Sequence, residues 1–322
     1  MTTKWQPTAS LEMLKTKARL LSKLRAFFDE KDILEVQTPL LSQAGNTEPT
    51  IESFVVQQKN KKAYLNTSPE FAMKRLLAAG YGSIYQISPA FRQEEQSKRH
   101  NSEFTLLEWY RIGFDHHALM REVDELIYFV ATDYIKLAPS QHYTYQDAMI
   151  KFADIDPFDT TVTELKAATL TAGIEVIGLD EVSLDAWLDL LMCEVVEKNL
   201  PLNCPVFIYD YPSSQAALSK IRKGEYHDVA ERFELYINGM ELANGFHELS
   251  DAAEQEQRFH KDQELRKKNN QQSIPTDKHL IEAIKEGLPE CAGVALGLER
   301  LLMVLTETES INDVLAFPFD RA

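Results

Sequence analysis

A predicted β-hairpin carries two acidic residues that could bind one metal ion together. Its turn is Asn238-Gly239, a dipeptide typical of two-residue hairpin turns. Regular pairing away from this turn matches Ile237 with Met240, Tyr236 with Glu241, and Leu235 with Leu242. In this register Glu234 and Glu241 lie diagonally on one face, within reach of a common cation. The alternative is a solvated sheet face with ordinary surface acids.

Two further segments favour a binding site beside this hairpin. The alternation of its second strand breaks at Gly245, which predicts a β-bulge. In a later strand, Gly293, Ala295 and Gly297 fall on one face. A strand with one bare face leaves room for a ligand against its backbone, although a closely packed helix is the alternative. Arg300 would enter the first turn of the next helix, where its charge opposes the dipole and favours an anionic or aromatic ligand.

A polar loop between two predicted strands has the residue types that bind a nucleotide. The strands cover residues 83–91 and 104–110, and residues 92–103 between them are too charged for a core. Arg92 at the strand end and Phe104 at the return could hold a triphosphate and stack on a base. The chain has neither a GxxxxGKS/T P-loop nor a GxGxxG Rossmann turn, which excludes those two nucleotide sites.

No arrangement for covalent catalysis stands out in the sequence. It suggests no Ser-His-Asp set and no activated cysteine. Cys193, Cys204 and Cys291 lie far apart without a CxxC pair, which is typical of structural thiols in a reducing compartment. His116-His117 is expected to be an exposed surface pair.

Periodicity and capping residues predict the elements that must position these side chains. A helix covers about 11–28 with Ser10 as its cap, and Ser68-Pro69-Glu70 opens a second helix that ends near Gly80. Other predicted elements are an extended segment at 33–41, whose Pro39 suits a sheet edge or an interface, a strand at 204–211, a helix at 252–268 and a strand running into a helix at 293–305. The strands are too widely spaced for a βαβ rhythm. We therefore predict an α+β fold with an antiparallel sheet flanked by helices.

Composition limits the partners and the location of the protein. The chain has 322 residues, a net charge of −16 and 44% hydrophobic residues. This charge disfavours general binding to nucleic-acid backbones and leaves proteins or small molecules as partners. No apolar run reaches the ~20 residues of a membrane span, and no secretory signal is visible, so we expect a cytoplasmic protein without membrane contact. Residues 140–200 hold twelve acidic against three basic residues, which predicts an acidic, mostly helical insertion within a single domain spanning 1–322.

Taken in order, these segments resemble the catalytic core of the class II aminoacyl-tRNA synthetases, and specifically its lysyl branch. The segment from Phe91-Arg92-Gln93-Glu94 to Phe104 is similar to motif 2, and Gly297-Leu298-Glu299-Arg300 is similar to motif 3. The helix that leads to Pro39 is similar to motif 1, the dimer element, which implies a homodimer. The segment from Glu241 to Leu249 looks like the lysine pocket. The resemblance covers nearly the whole chain.

Within this branch, the chain is most similar to paralogues of lysyl-tRNA synthetase that modify elongation factor P. It begins at the motif 1 helix, so we expect no anticodon-binding domain, and its charge argues against tRNA as a partner. Ala295 stands where lysyl-tRNA synthetases usually have glycine, which implies a pocket for (R)-β-lysine rather than α-lysine. Gln93 departs from the asparagine that is frequent in motif 2. The resemblance thus implies ATP, Mg²⁺, (R)-β-lysine or lysine, and elongation factor P as the acceptor.

The resemblance also implies roles for individual residues. The expected ATP contacts are Arg92, Gln93, Glu94, His100, Asn101, Phe104, Glu241, Leu242, Gly297 and Arg300. Arg92 and Arg300 would be catalytic, with Arg92 on the α-phosphate and the amino-acid carboxylate. Phe104 and Arg300 would enclose the adenine ring, and Glu94 would read its amino group. Glu234 and Glu241 would hold Mg²⁺ between the phosphates.

A second set of residues is expected to form the lysine pocket: Ser68, Pro69, Glu70, Tyr110, Asn244, Glu248 and Ala295. Glu70 would bind the backbone-side amine, and Tyr110 with Glu248 would bind the ε-ammonium. Asn244 would orient the carboxylate. That carboxylate would attack the α-phosphate to give an adenylate, which an amine of the acceptor protein would then attack. Neither step needs a protein nucleophile, because catalysis rests on positioning and charge neutralisation.

Three alternatives stay open from the sequence alone. A truncated enzyme could still charge tRNA, a non-catalytic paralogue could only bind, and a synthetase-like asparagine synthetase is weaker still. Tyr110 and Glu248 suit a terminal ammonium and so argue against the last of these. Loss of catalysis is disfavoured by the presence of Arg92, Glu94, Glu234, Glu241 and Arg300.

Overall fold

A mixed β-sheet forms the centre of the structure, a computed structural model that describes residues 5–93, 96–174 and 183–322. The strands are β1 (Leu34–Glu35), β2 (Leu41–Ser42), β3 (Val55–Gln58), β4 (Lys61–Leu65), β5 (Ile84–Phe91), β6 (Glu103–Ile112), β7 (Gln141–Thr144), β8 (Val206–Pro212), β9 (Ile221–Arg222), β10 (Val229–Ile237), β11 (Met240–His247) and β12 (Cys291–Gly297). In the central sheet they follow the order β1-β5-β6-β12-β11-β10-β8-β7, with β9 paired to β10. Strands β2, β4 and β3 form a separate small sheet.

Most strand pairs of the central sheet are antiparallel, which agrees with the predicted α+β architecture. The exceptions are β1 with β5 and β7 with β8, which run parallel at the two ends of the sheet. β1 is an edge strand and is followed by Pro39, so the edge position predicted for this extended segment is confirmed. The four strands β6, β12, β11 and β10 form a continuous antiparallel centre.

Helices cover the sheet and share the core with its strands. They are α1 (Leu11–Glu30), α2 (Glu70–Ala78), α3 (His116–Ala131), α4 (Tyr145–Ala153), α5 (Val162–Thr171), α6 (Leu184–Leu191), α7 (Glu197–Asn199), α8 (Ala252–Lys268), α9 (Lys278–Gly287) and α10 (Leu298–Leu305). The Ser10 hydroxyl accepts a hydrogen bond from the Met13 amide, as expected of a helix cap. Within the described ranges, no helix combines the length and apolar character that a membrane crossing requires.

One face of the central sheet is packed against α1, α3 and α10. Phe28 of α1 stacks on Tyr85 with ring centroids 4.3 Å apart and meets Trp109 edge-on at 5.4 Å. Glu299 of α10 is buried and accepts hydrogen bonds from the Thr105 amide and from Lys17, each at 2.8 Å. This carboxylate therefore ties α10 and α1 to β6. Because one face is filled in this way, a ligand must bind on the other face.

The acidic region predicted at 140–200 folds into the helices α4 to α7, which have a second hydrophobic cluster of their own. Tyr145, Trp187 and Leu191 are buried there against Ile208 of β8. Residues 175–182 of this region lie outside the described residues. The insertion thus packs at the β8 end of the sheet, and the assignment of residues 1–322 to a single domain stays a prediction.

Candidate functional site

Four strands place a row of polar and small side chains across the open face of the sheet. Glu108 of β6 pairs with Ala295 of β12, Ala295 pairs with Asn244 of β11, and Asn244 pairs with Glu234 of β10. Directly paired residues in a sheet point to the same face. The structure therefore brings together three residues that the sequence assigned to the site, and it adds Glu108.

A β-bulge in the hairpin puts Asn244 on this face. The predicted pairs of Ile237 with Met240 and of Tyr236 with Glu241 are confirmed, but Leu235 pairs with Ala243 rather than with Leu242. Leu242 and Ala243 are both buried in the core, so the alternation shifts by one residue after them. With regular pairing, Asn244 would lie opposite Phe233 and point into the core.

The bulge predicted at Gly245 is wrong, because Gly245 pairs regularly with Phe233 and Val294. A glycine is needed at this position for a different reason. A Cβ at this position would lie 2.4 Å from the Phe233 ring, so the space that a side chain needs is filled by that ring. The break in alternation came from packing on the core face.

Glu234 and Glu241 share one face, as predicted, and both line a cavity of about 1020 Å³. Glu234 accepts hydrogen bonds from the Arg232 guanidinium and the Tyr236 hydroxyl. A third acid, Glu197 of α7, lines the same cavity. Burial and the charges of Glu241 and Glu234 raise the pKa of Glu197 to about 8. Three carboxyl groups therefore share this wall, and their proximity makes it harder for all of them to be ionised together unless a cation binds between them.

The residues expected to bind ATP converge from β6, the loop before it and α10. The Arg92 guanidinium lies 5.1 Å from the centre of the Phe104 ring. Arg300, in the first turn of α10 as predicted, donates to the Glu241 carbonyl at 2.9 Å, to its carboxylate at 3.2 Å and to Nε2 of His100 at 2.5 Å. Arg300 thus links the loop between β5 and β6 with the acidic hairpin.

Four other predicted ATP contacts differ in their surroundings. The amide group of Asn101 is engaged within the protein, since it donates to the Glu103 carbonyl at 2.7 Å and accepts from the Phe319 amide at 3.0 Å. The Leu242 side chain is buried in the core, so only its backbone can reach a ligand. Gln93 is exposed beside Arg92, and Glu94 lies outside the described residues. Their roles toward ATP stay predictions.

A buried lysine lies between two of the acids that were predicted to bind the substrate amines, and the sequence analysis missed it. Lys74 of α2 lies 2.6 Å from the Glu70 carboxylate and 2.5 Å from that of Glu248. Burial alone would lower the pKa of Lys74, but Glu248 and Glu70 outweigh it and raise that pKa above its ordinary value. The lysine therefore stays charged and fixes both carboxylates. Its spacing of four residues from Glu70 on one helix was the available signal.

Glu108 is the second residue that the sequence analysis missed in this pocket. Its carboxylate accepts hydrogen bonds from the Ser68 hydroxyl and the Tyr110 hydroxyl, each at 2.7 Å. Burial, followed by the charge of Glu70, raises the pKa of Glu108 to about 8. In a strand, Glu108 lies two residues from Leu106 and two from Tyr110, so the three side chains share one face. This pattern could have identified Glu108 as an inward-pointing acid.

Pro69 precedes the helix that carries Glu70 and Lys74. It precedes Glu70 as the first residue before α2, and the Ser68 hydroxyl accepts from the Glu70 amide at 3.0 Å. The predicted opening of the helix by Ser68-Pro69-Glu70 is confirmed. Ser68 therefore fixes the start of α2 and orients Glu108 at the same time.

The three small residues of β12 share the open face, as predicted, but their surroundings differ. At Gly293 a Cβ would lie 2.3 Å from the Tyr110 ring and 2.5 Å from the Glu248 carboxylate, so protein side chains fill that space. At Gly297 the nearest atoms would be 3.9 Å away. Ala295 lies between them and is partly exposed. Room for a ligand against the backbone is thus limited to the Ala295 and Gly297 end.

Asn244 has unused hydrogen-bonding capacity on this face. Its Oδ1 atom is buried and has no hydrogen-bond partner among the described residues. Buried polar atoms are normally satisfied, so an orphaned amide oxygen facing a binding face indicates a ligand group. The sequence assigned Asn244 to the substrate, and that assignment stays a prediction.

His116 corrects the expectation of an exposed histidine pair. Its side chain is buried, and Nε2 lies 3.1 Å from the carboxylate of Asp210 on β8. His117 is partly buried and lies with its ring centre 4.1 Å from that of His116. The doublet could not show this, since burial depends on a strand that lies far along the chain.

Comparison with known proteins agrees with this geometry. Residues 3–321 match the family model of the class II tRNA synthetases for D, K and N. An elongation factor P–(R)-β-lysine ligase from Vibrio parahaemolyticus is 47% identical over 100% of both chains. Ligases of the same name from Vibrio cholerae and Salmonella arizonae are 46% and 43% identical, over 98% or more of each chain. The chain therefore belongs to the class II tRNA synthetases of the D, K and N group and, within them, to the family of elongation factor P–(R)-β-lysine ligases.

Proposed function

We propose that this chain uses ATP to activate (R)-β-lysine as an adenylate and transfers the acyl group to a lysine side chain of elongation factor P. The observation that carries the proposal is one continuous sheet face. At one end lies a pocket of buried acids around Glu108 and Glu248, and at the other lie Arg92, Phe104 and Arg300. A substrate with two ammonium groups and one carboxylate fits such a face with its carboxylate toward the arginines. The names of the relatives support the same reaction.

The proposed activation step is an in-line displacement at the α-phosphate of ATP. An oxygen of the amino-acid carboxylate attacks phosphorus, the bond to the bridging oxygen breaks, and pyrophosphate leaves. Arg92 is proposed to neutralise the carboxylate and the α-phosphate, and Arg300 to enclose the adenine ring together with Phe104. A guanidinium group can hold developing negative charge through directed N–H groups, without proton transfer.

The proposed transfer step is attack of an acceptor amine on the activated carbonyl. The new amide bond forms, the bond from the carbonyl to the phosphate oxygen breaks, and AMP leaves with the electron pair. The amine proton is released in this step. Because the adenylate is already a reactive anhydride, the chain needs to position the two reactants and exclude water rather than supply a nucleophile.

Glu234 and Glu241 have the donor chemistry that suits Mg²⁺. This ion is usually bound through one or two carboxylates together with the phosphates of a substrate. The raised pKa of Glu241, caused by burial and by the charge of Glu234, supports a wall that favours a cation. When bound, the ion would neutralise charge on the leaving pyrophosphate. Arg232 and Tyr236 would keep Glu234 oriented toward it.

The proposed activation can be tested by ATP–pyrophosphate exchange. Exchange should require (R)-β-lysine or lysine and Mg²⁺. Glu241→Gln should lower it by on the order of 100-fold, because one charge on the metal-binding wall is lost. Glu282→Gln is the matched control, since that carboxylate is 71% exposed on α9. Equal exchange rates in both variants would remove the metal role of Glu241.

A homodimer through the motif 1 segment is part of the proposal. Leu34 of β1 is 51% exposed and Leu41 of β2 is 38% exposed, so this segment presents two apolar side chains that a second copy of the chain could cover. Sedimentation of the purified chain should give a dimer, and Leu41→Lys should weaken it. A monomer at micromolar concentration would contradict this part.

A further inference from the structure

A cluster of histidines and carboxylates lies on the other face of the sheet from the site described above. This histidine cluster consists of His116, His117, Asp210, Glu231 and His247. Its members come from the start of α3 and from β8, β10 and β11. Because side chains alternate along a strand, Glu231 points away from Arg232, and His247 points away from Glu248. The cluster is therefore separate from the lysine pocket.

The donor atoms of this cluster are close to one another. The ligand atoms of His116, Glu231 and His247 all lie within 4.8 Å of one another, and so do those of His116, His117 and Asp210. Nδ1 of His247 lies 2.5 Å from the Glu231 carboxylate.

The outer nitrogen of His247 has its own partner. Nε2 of this ring lies 3.0 Å from the Glu290 carboxylate. A carboxylate on the second nitrogen fixes the tautomer and the direction of a metal-binding histidine. Glu290 therefore stands where a residue supporting a metal ligand is expected.

One ring nitrogen of His116 has no hydrogen-bond partner in the part of the chain that the structure describes. This nitrogen is Nδ1, and the side chain is 2% exposed. A buried orphaned nitrogen is costly unless a ligand satisfies it. An imidazole nitrogen of this kind can bind a metal ion.

Arg222 is the cation that now neutralises the carboxylates of the cluster. Its guanidinium lies 2.5 Å from Asp210 and 3.4 Å from Glu231. This side chain is 49% exposed and comes from the short strand β9, so it can move into solvent without leaving a cavity. A divalent ion bound within the cluster would replace its charge.

We propose that the histidine cluster is a Zn²⁺ site, with His116, His247 and Glu231 as ligands and with Asp210 holding His116 from its other ring nitrogen, as Glu290 holds His247. Imidazole nitrogens together with carboxylates are typical zinc ligands, whereas Mg²⁺ prefers oxygen alone. Tetrahedral zinc ligands stand about 3.3 Å apart, so the three donors need to approach by about 1.5 Å at most. The ion would join α3 to β10 and β11 directly behind Arg232 and Glu248, and its role would be structural.

The test is zinc binding by the full-length chain. After removal of metal by a chelator, the protein is titrated with Zn²⁺ against a chromophoric competitor, in the presence of millimolar Mg²⁺. We expect one ion per chain and a higher Tm when it is bound. His247→Gln and Glu231→Gln should each weaken binding at least tenfold, and neither residue is part of the lysine pocket. Two control variants should bind Zn²⁺ as tightly as the unmodified chain. One is His260→Asn, because the His260 side chain is 75% exposed on α8, and the other is Glu241→Gln in the acidic hairpin.

Substitution with Co²⁺ gives a second readout, which reports on the ligands of the ion directly. Visible absorption typical of four-coordinate nitrogen and oxygen ligation should appear in the unmodified chain and disappear in His247→Gln. Failure of the unmodified chain to bind Zn²⁺ would overturn the proposal. Binding that is unchanged in His247→Gln and Glu231→Gln, or that is lost in Glu241→Gln, would overturn it as well.

Discussion

The Lys74 ammonium lies 2.5 Å from the Glu248 carboxylate, and each of these side chains is only 1% exposed. Glu70 contacts the same ammonium at 2.6 Å. The pocket proposed for the substrate amines thus holds an internal cation between two of its acids. A buried pair contributes little net stability when intact, but the loss of one partner leaves a charge buried without compensation. This makes Lys74 a residue that maintains the pocket.

Lys74→Met should destabilise the fold because Glu248 then lacks its counter-charge. We expect the free energy of unfolding to fall by about 3–5 kcal/mol, measured by urea denaturation. Lys285→Met is the matched control, since that lysine is 57% exposed on α9 and should change stability by less than about 0.5 kcal/mol. Equal denaturation midpoints for the two variants would contradict the role given to Lys74.

Glu108 should make substrate affinity depend on pH. Its pKa of about 8 keeps it protonated at neutral pH, whereas an ammonium ligand prefers the ionised carboxylate. Binding below that pH must release a proton, so kcat/KM for lysine in the exchange reaction should rise roughly eightfold from about pH 7 to about pH 8.5. In Glu108→Gln, kcat/KM for lysine should be lower at all pH values and should not rise with pH. A variant with the same pH profile would show that another group titrates.

Ala295 should set the preference between lysine isomers, because its methyl group lies between Glu108 and Asn244 on the substrate face. One methyl in a tight pocket is worth about 1–3 kcal/mol, or roughly ten- to two-hundred-fold in relative kcat/KM. Ala295→Gly should narrow the gap between (R)-β-lysine and α-lysine, mainly by improving α-lysine, with the KM for ATP unchanged. Adenylation kinetics with both isomers check this. An identical isomer ratio would mean that the methyl does not contact the substrate.

The two glycines of β12 should respond differently to the same substitution. Gly293→Ala places a methyl group 2.3 Å from the Tyr110 ring and should displace Tyr110 and Glu248, which lowers Tm and raises the KM for lysine. Gly297→Ala meets nothing closer than 3.9 Å, so it should fold normally and raise the KM for ATP instead. Thermal denaturation and exchange kinetics separate the two. The reverse pattern would contradict the assignment of the β12 ends to the two substrates.

Local patterns predicted the hairpin turn, the apolar and polar faces of β10, and the start of α10 with Arg300 in its first turn. They predicted a bulge in β11 but placed it at Gly245 instead of at Leu242 and Ala243, because these two residues are both apolar and either could continue the alternation. Gly245 was misread, since its reason is the Phe233 ring on a neighbouring strand.

The site residues that the sequence analysis missed also depend on contacts that are distant in the sequence. Glu108 and Lys74 each carried a local signal, but their meaning depends on Glu248, far along the chain. His116 looked exposed because nothing near it in sequence indicates the Asp210 carboxylate on β8. The alternation of side chains along a strand thus predicts which residues share a face of the sheet. The burial of a charged side chain depends on partners that are distant in the sequence.

The central claim concerns the acceptor, and one transfer experiment tests it directly. The purified chain is incubated with ATP and (R)-β-lysine, together with equal amounts of elongation factor P and tRNA-Lys, and intact-mass spectrometry follows both acceptors. We predict that elongation factor P gains the mass of one lysyl group, faster with (R)-β-lysine than with α-lysine, while tRNA-Lys stays uncharged. Charging of tRNA-Lys at a rate comparable with that of elongation factor P, or no mass gain on elongation factor P, would contradict the account.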